Sequence, residues 1–259
     1  MHTRGYFKLK SATSVVAVVL LSVSAAHAQQ TVVFNPTLDT TIYSDNFNFS
    51  SGQGGWGFFG TTANGALRRS LIEFDLSSIS PDSVVTGAAL TIEVDRAVGD
   101  TVPVGLHRVL APWGEGGSDA GSSGSGTQAQ PGDTTWVSRG YPDSTQNWAT
   151  AGGDFIAAAS ATTAVGAPGT YTWSATPALI ADLQAWVTNG STNHGWMIVG
   201  TEGGDRSAKR FFTGEGLPVE LRPNLTLQVS PVPEPTILVS LLAGLGMFAG
   251  MSRRLLNRG

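Results

Sequence analysis

The sequence contains no cysteine. A disulfide framework and a thiolate metal site are both excluded, so a folded body must rest on packing, or on packing plus a metal held by oxygen. Histidine is nearly as scarce. Of four, only His107 and His194 lie between residues 29 and 230. No H-E-x-x-H or Cys/His cluster points to zinc, and no G-x-S-x-G turn marks a serine nucleophile. Charged residues make up only 13% of the chain. Between residues 29 and 230 there are nine Lys and Arg against eighteen Asp and Glu, a formal charge of about −9. Such a field repels polyanions, which argues against nucleic acid as a partner. An anionic polysaccharide would need a local basic patch or a bridging cation.

What the chain does have is glycine, 33 in 259 residues, and short runs of β-forming residues between turn signals. In RSLIEFDLSS, Ile72, Phe74 and Leu76 share one face, with Glu73 and Asp75 on the other. In AALTIEVDR, Leu90, Ile92 and Val94 oppose Thr91, Glu93 and Asp95. In NLTLQVS, Leu225, Leu227 and Val229 alternate with Asn224, Thr226 and Gln228. Period-two alternation of this kind predicts strands with one wet face, as in antiparallel sheets. Further strands are expected near 32–34, 40–43, 104–109, 170–173 and 196–199. One segment, TPALIADLQAWVTNG, carries Leu179, Ile180, Leu183, Trp186 and Val187 at helical spacing, with Thr176 to cap it, Pro177 at its first position and Asn189-Gly190 to stop it. The expected fold is an all-β, jelly-roll-like antiparallel β-sandwich with one short helix. Residues 114–132, rich in Gly and Ser, read as a long flexible insertion that interrupts this domain.

Both ends look different. Arg4, Lys8 and Lys10 precede an apolar stretch over 15–23, and Ala26-His27-Ala28 precedes Gln29. This is the pattern of a secretory signal peptide helix cleaved after Ala28; an N-terminal anchor is the alternative. At the other end, Val232-Pro233-Glu234-Pro235 is followed by an uncharged run to Met251 and then Arg253, Arg254 and Arg258. Three readings compete for this hydrophobic helix: a buried core helix, a lasting anchor, or an address that is read and removed. The run is apolar on all sides, unlike a core helix, and is shorter than the roughly 20 residues that span a bilayer comfortably. The trailing arginines follow the positive-inside order.

The motif, apolar span and arginine cluster together resemble the PEP-CTERM sorting signal of Gram-negative bacteria. That resemblance covers residues 231–259. It implies export by the secretion machinery, recognition at Val232–Pro235 by an exosortase-type membrane protease, transient anchoring in the inner membrane, and a final place at the cell surface or in an extracellular matrix of polysaccharide and biofilm. A second resemblance covers most of 31–230. RRSLIEFDLSSISPDSVVTGAALTIEV is similar to the central motif of DNRLRE-type (disaggregatase-related) domains. Trp113-Gly-Glu115, Thr135-Trp136, Gly-Gly-Asp154-Phe155, the Trp186 helix, Asn193-His194-Gly195, AKRFFTGEG and RPNLTLQV follow in the family's order. This resemblance implies a jelly-roll-like sandwich related to carbohydrate-binding modules and appendages of extracellular enzymes. The Gly/Ser segment and the missing Asn-Tyr-Gly near the start depart from the pattern.

Candidate site residues are few. GQGGWG at 52–57 fits G-x-G-x-x-G but lacks the strand-turn-helix context of a dinucleotide site, so it reads as a loop. Aromatic rings that stack on sugar faces are the better lead. Trp56, Phe58 and Phe59 sit in that glycine-rich loop, and Trp113 and Tyr141 flank others; Trp136, Trp148 and Trp186 read as core plugs. Glu73, Asp75, Glu93 and Asp95 can share one sheet face, where a solvated surface is the plain reading and a glycosidase acid pair the other. Asp39, Asp45 and Asn46, or Glu202 and Asp205, offer oxygen ligands for a structural calcium without EF-hand spacing. No other cofactor is expected. Two functions follow: an exported, non-catalytic polysaccharide-binding protein of the surface layer, or a polysaccharide hydrolase or lyase. Paired acids, or a Tyr/His/Arg set, in a concave groove would favour the second, an acid-free aromatic platform the first.

Overall fold

The structure is a computed structural model that describes residues 29–204 and 206–230. The signal peptide and sorting signal expected from the sequence, with Ala26, Ala28 and Val232–Pro235, lie outside the described residues, as does Asp205. Among the described residues no helix is long and apolar enough to cross a membrane.

The alternating segments form strands. In chain order these are β1 (Gln30–Phe34), β2 (Leu38–Tyr43), β3 (Phe49–Ser50), β4 (Trp56–Thr61), β5 (Leu67–Glu73), β6 (Val84–Ala97), β7 (Val102–Arg108), β8 (Thr127–Gln128), β9 (Ala161–Val165), β10 (Gly169–Ser174), β11 (Trp196–Val199), β12 (Lys209–Phe212) and β13 (Asn224–Ser230), with one helix, α1 (Pro177–Thr188). All pairings are antiparallel. One sheet is built on the 14-residue β6, which carries β13 and then β12 along one edge and β10 on the other; β1 extends it beyond β13. The second sheet centres on β5, paired with β2 and β11, and continues through β7 to β9. The fold is the expected all-β sandwich with one helix.

Strand β4 joins the two sheets. Residues 56–59 pair with β12, and Gly60 and Thr61 pair with β5. The corner falls at Gly60, whose φ is +97°; a Cβ there would meet the Ser207 carbonyl oxygen at 2.7 Å. Only glycine adopts that backbone and leaves that space.

Alternation decides what each face buries. Leu90, Ile92, Val94, Leu225, Leu227 and Val229 from the first sheet meet Ile72, Trp196, Ile198 and Leu106 from the second in the main core. Helix α1 closes one end with Leu179, Leu183, Trp186 and Val187. Thr176 caps it, its hydroxyl accepting from the Leu179 amide at 3.0 Å. Asp182, on the buried face, is satisfied by the Trp196 indole N–H at 3.0 Å and the Ser160 hydroxyl at 2.5 Å.

The opposite face of the second sheet is also buried. Leu71 and Met197, one residue out of phase with Ile72 and Trp196, join Ile42, Val109, Trp113, Trp136 and Trp148 in a second core. Residues 109–160, between β7 and β9, thus form a third layer. This corrects the reading of 114–132 as a flexible insertion. Ser118 is fully buried, its carbonyl accepts from the Gln53 amide at 2.8 Å, and β8 pairs with β3. Arg68 Nε donates to the Gly124 carbonyl at 2.7 Å. The segment builds no core of its own. Its small residues let backbone approach backbone, and the polar groups are satisfied by neighbours distant in sequence.

Candidate functional site

The glycine-rich loop expected to present Trp56, Phe58 and Phe59 is instead strand β4. Phe58 is 8% exposed and Phe59 fully buried. Trp56 is half-buried, packed on Phe212, with the Arg210 guanidinium 5.1 Å above its ring. The three rings therefore form no open platform. Trp136, Trp148 and Trp186 are buried as expected.

Trp113 and Tyr141 do come together. They line a groove of about 420 Å³ with Arg139, Asp143 and Gln146. Trp113 forms its floor. Its indole N–H donates to the His194 carbonyl at 3.0 Å, which locks the ring, and only 7% of the residue is exposed. Tyr141 is half-buried and forms a wall. Arg139 Nη1 donates to the Pro112 carbonyl at 3.1 Å and keeps further donors for a ligand. Hydrogen bonds from the Thr145 hydroxyl and amide hold Asp143 below the usual carboxylate range, so it stays an acceptor at neutral pH. The groove offers the Tyr141 ring beside a nearly buried Trp113, with donors and an acceptor at its rim, groups that can meet sugar C–H faces and hydroxyls. A larger hollow of about 640 Å³ beside Phe155 has Ala111, Ala149, Ala151 and Ala157 in its lining, and its arginine, Arg69, is already bound by Glu202 and the Gly152 carbonyl.

The four candidate acids separate. Asp95 is bound by Arg210 through both oxygens, at 2.9 and 2.5 Å, and Glu93 accepts from the Thr170 hydroxyl. Glu73 and Asp75 share a hollow of about 380 Å³ with Trp186 and Asn193. Burial first, then the charge of Asp75, pushes Glu73 up to about 7. The Ser77 amide and hydroxyl hold Asp75 below its ordinary value. The sign of the stability effect follows. A carboxyl raised in the folded state holds its proton better folded than unfolded, so stability is full below about 4.5 and falls as pH rises through about 7. Because Glu73 is partly solvated, the loss is discounted to on the order of 1 kcal/mol. Between pH 4 and 8, wild type should lose that much relative to Glu73→Gln in urea titrations; parallel curves would contradict it.

A third group was not legible as a set. Asp39 (β2), Glu115 (third layer) and Glu215 (the turn after β12) bring carboxylate oxygens within 4.8 Å of one another. Burial, then Glu215, raises Asp39 well above its usual range. Burial pushes Glu115 up to about 7 and raises Glu215 too. Of the calcium candidates, Asp39 belongs to this group. Asp45, Asn46 and Glu202 do not: Asp45 is bound bidentately by Arg68 and Glu202 by Arg69, while the Asn46 carbonyl accepts from the Phe49 amide. No local spacing links residues 39, 115 and 215; only the fold gathers them. His107 and His194 do not pair: His107 packs edge-on to Phe155, and the His194 carbonyl serves Trp113. Compared with models of known protein families and with curated proteins, the chain matches none.

Proposed function

We propose that the chain is an exported, non-catalytic protein of the cell surface or extracellular matrix that binds extracellular polysaccharide in the groove between Trp113 and Tyr141. The observation that carries this reading is the groove itself: an indole floor, a tyrosine wall and, at the rim, Arg139, Gln146 and Asp143, the one acid in the lining, with no second carboxylate there to pair with it. The acidic body fits a ligand met through stacking and hydroxyl recognition better than one met through a broad basic surface. The end signals, with exosortase processing near Pro233–Pro235, supply the location in this proposal.

Stacking one ring on a sugar contributes on the order of 1 kcal/mol, by analogy with aromatic pairs. Tyr141→Ala should therefore weaken binding to the host's exopolysaccharide about 5- to 10-fold in affinity electrophoresis. Tyr141 is half-buried at the rim, so the melting temperature should move by no more than about 2 °C. Unchanged mobility of wild type at every polysaccharide concentration would overturn the proposal.

One observation favours the second reading, a hydrolase. Glu73 and Asp75 share a hollow and differ in proton affinity, as an acid and its ionised partner must. New reducing ends from exopolysaccharide, lost in both Glu73→Gln and Asp75→Asn, would establish it.

A further inference from the structure

The oxygens of Asp39, Glu115 and Glu215 are unevenly satisfied. Asp39 is 1% exposed, and its Oδ2 accepts from the Gly214 amide at 2.6 Å. Its Oδ1 is buried with no partner, and so is Glu215 Oε2. Glu115 Oε1 accepts from the Asp39 amide at 2.7 Å, and its Oε2 from Gln53 Nε2 at 2.9 Å. These two bonds fix the Glu115 carboxylate beside Asp39. Among the described residues none of the three is in a salt bridge. Arg222, the cation that acts on Asp39 and Glu215, gives its Nε to the Gly216 carbonyl instead. Unpartnered carboxylate oxygens in a buried place are costly unless something positive meets them.

We propose that Asp39, Glu115 and Glu215 form a calcium site that ties the third layer to the sandwich. The ligand set is all carboxylate, with no histidine or thiolate, which selects a hard cation. Oxygens on opposite sides of a calcium ion stand about 5 Å apart, given Ca–O lengths of roughly 2.3–2.6 Å. The three ligand oxygens, all within 4.8 Å of one another, are close enough to meet one such ion. Three ligands from separate segments make an irregular cage, which calcium tolerates and magnesium, held to a near-ideal octahedron, does not. The ion would join β2, the turn after β12, and residue 115 at the start of the Gly/Ser segment. That segment has little apolar surface to hold it, and a cation replaces what packing cannot supply. The inference is independent of the polysaccharide proposal.

The exported protein, stripped with EGTA and dialysed, is titrated with CaCl2 by calorimetry, with MgCl2 as comparison and Asp82→Asn, an exposed carboxylate elsewhere, as control. Wild type and Asp82→Asn should bind one calcium per chain, with a dissociation constant in the range of about 0.1–1 mM typical of extracellular modules. Saturating calcium should raise the melting temperature by about 5 °C, and equimolar magnesium by far less. Asp39→Asn should abolish both effects. Should that variant fail to fold, the less buried Glu115→Gln and Glu215→Gln serve, each weakening binding at least 10-fold. Absence of calcium binding by wild type, or undiminished binding in Glu115→Gln and Glu215→Gln, overturns the site.

Discussion

Replacing Arg69 by alanine should cost about 3 kcal/mol, the lower end of what is lost when one partner of a buried ion pair is removed. Arg69 rises from β5 on the face opposite the main core. Its guanidinium binds Glu202 through two contacts of 2.7 Å and donates to the Gly152 carbonyl at 2.6 Å. It also lies 4.9 Å from the Trp136 ring centre and 5.1 Å from that of Phe155. One side chain thereby holds two parts of the third layer against the second sheet. Losing it strands the Glu202 carboxylate and the Gly152 carbonyl, and it uncovers one face of Trp136. For a body of this size the melting temperature should fall by roughly 6–12 °C. The damage should be local as well. Limited proteolysis should cut Arg69→Ala within 109–160 before it cuts the sheets, and Trp136 and Trp148 should redden the fluorescence below the main transition. Arg69→Lys keeps a charge but not the planar fork, and should recover less than half of the loss. A variant that melts as wild type and resists protease equally would mean that the third layer does not depend on this contact.

The second large effect tests the strand assignment of β4. Gly57 faces Phe211 on β12, and a Cβ at Gly57 would lie 2.5 Å from two atoms of that ring. Gly57→Ala should therefore destabilise by about 2 kcal/mol, and Gly57→Val by more, because a packed core has no room for added atoms. The sign discriminates. In an open glycine-rich loop the same Gly57→Ala change would stabilise, by about 0.4–1 kcal/mol, through the unfolded chain. Shrinking the partner should relieve the clash, so that Gly57→Ala costs less in a Phe211→Leu background than in wild type. Chemical denaturation of the four proteins in this cycle measures the coupling directly. Additive losses would place Gly57 and Phe211 apart.

That pair shows where sequence reading stops. The strands of β6 and β13 were legible because Leu90, Ile92, Val94 and Leu225, Leu227, Val229 face one core and their polar neighbours face outward. Helix α1 was legible from Thr176, Pro177 and the spacing of its apolar face. In β4 the alternation is hidden, since Gly57 and Gly60 are small for reasons that lie in Phe211 and Ser207, about 150 residues away. The Gly/Ser segment failed for the same reason. Gly126, at φ +72°, sits against the Tyr43 ring where a Cβ would be 2.7 Å from it, so glycine there marks close contact rather than freedom. Of the site, Trp113 and Tyr141 are legible singly, but their convergence needs the fold of 109–160. Asp39 is legible as an oxygen ligand, but Glu115 and Glu215 approach it only across three layers.

The proposed seat of polysaccharide between Trp113 and Tyr141 is tested residue by residue by mapping amide and indole chemical shifts during titration with oligosaccharides cut from the host's exopolysaccharide. Saturable shifts should be confined to the Trp113 indole and the amides of Gly114, Arg139, Gly140, Tyr141 and Gln146, with Glu73, Asp75 and Trp186 unmoved. Shifts centred on Glu73, Asp75 and Trp186, or no saturable shift anywhere, would contradict it.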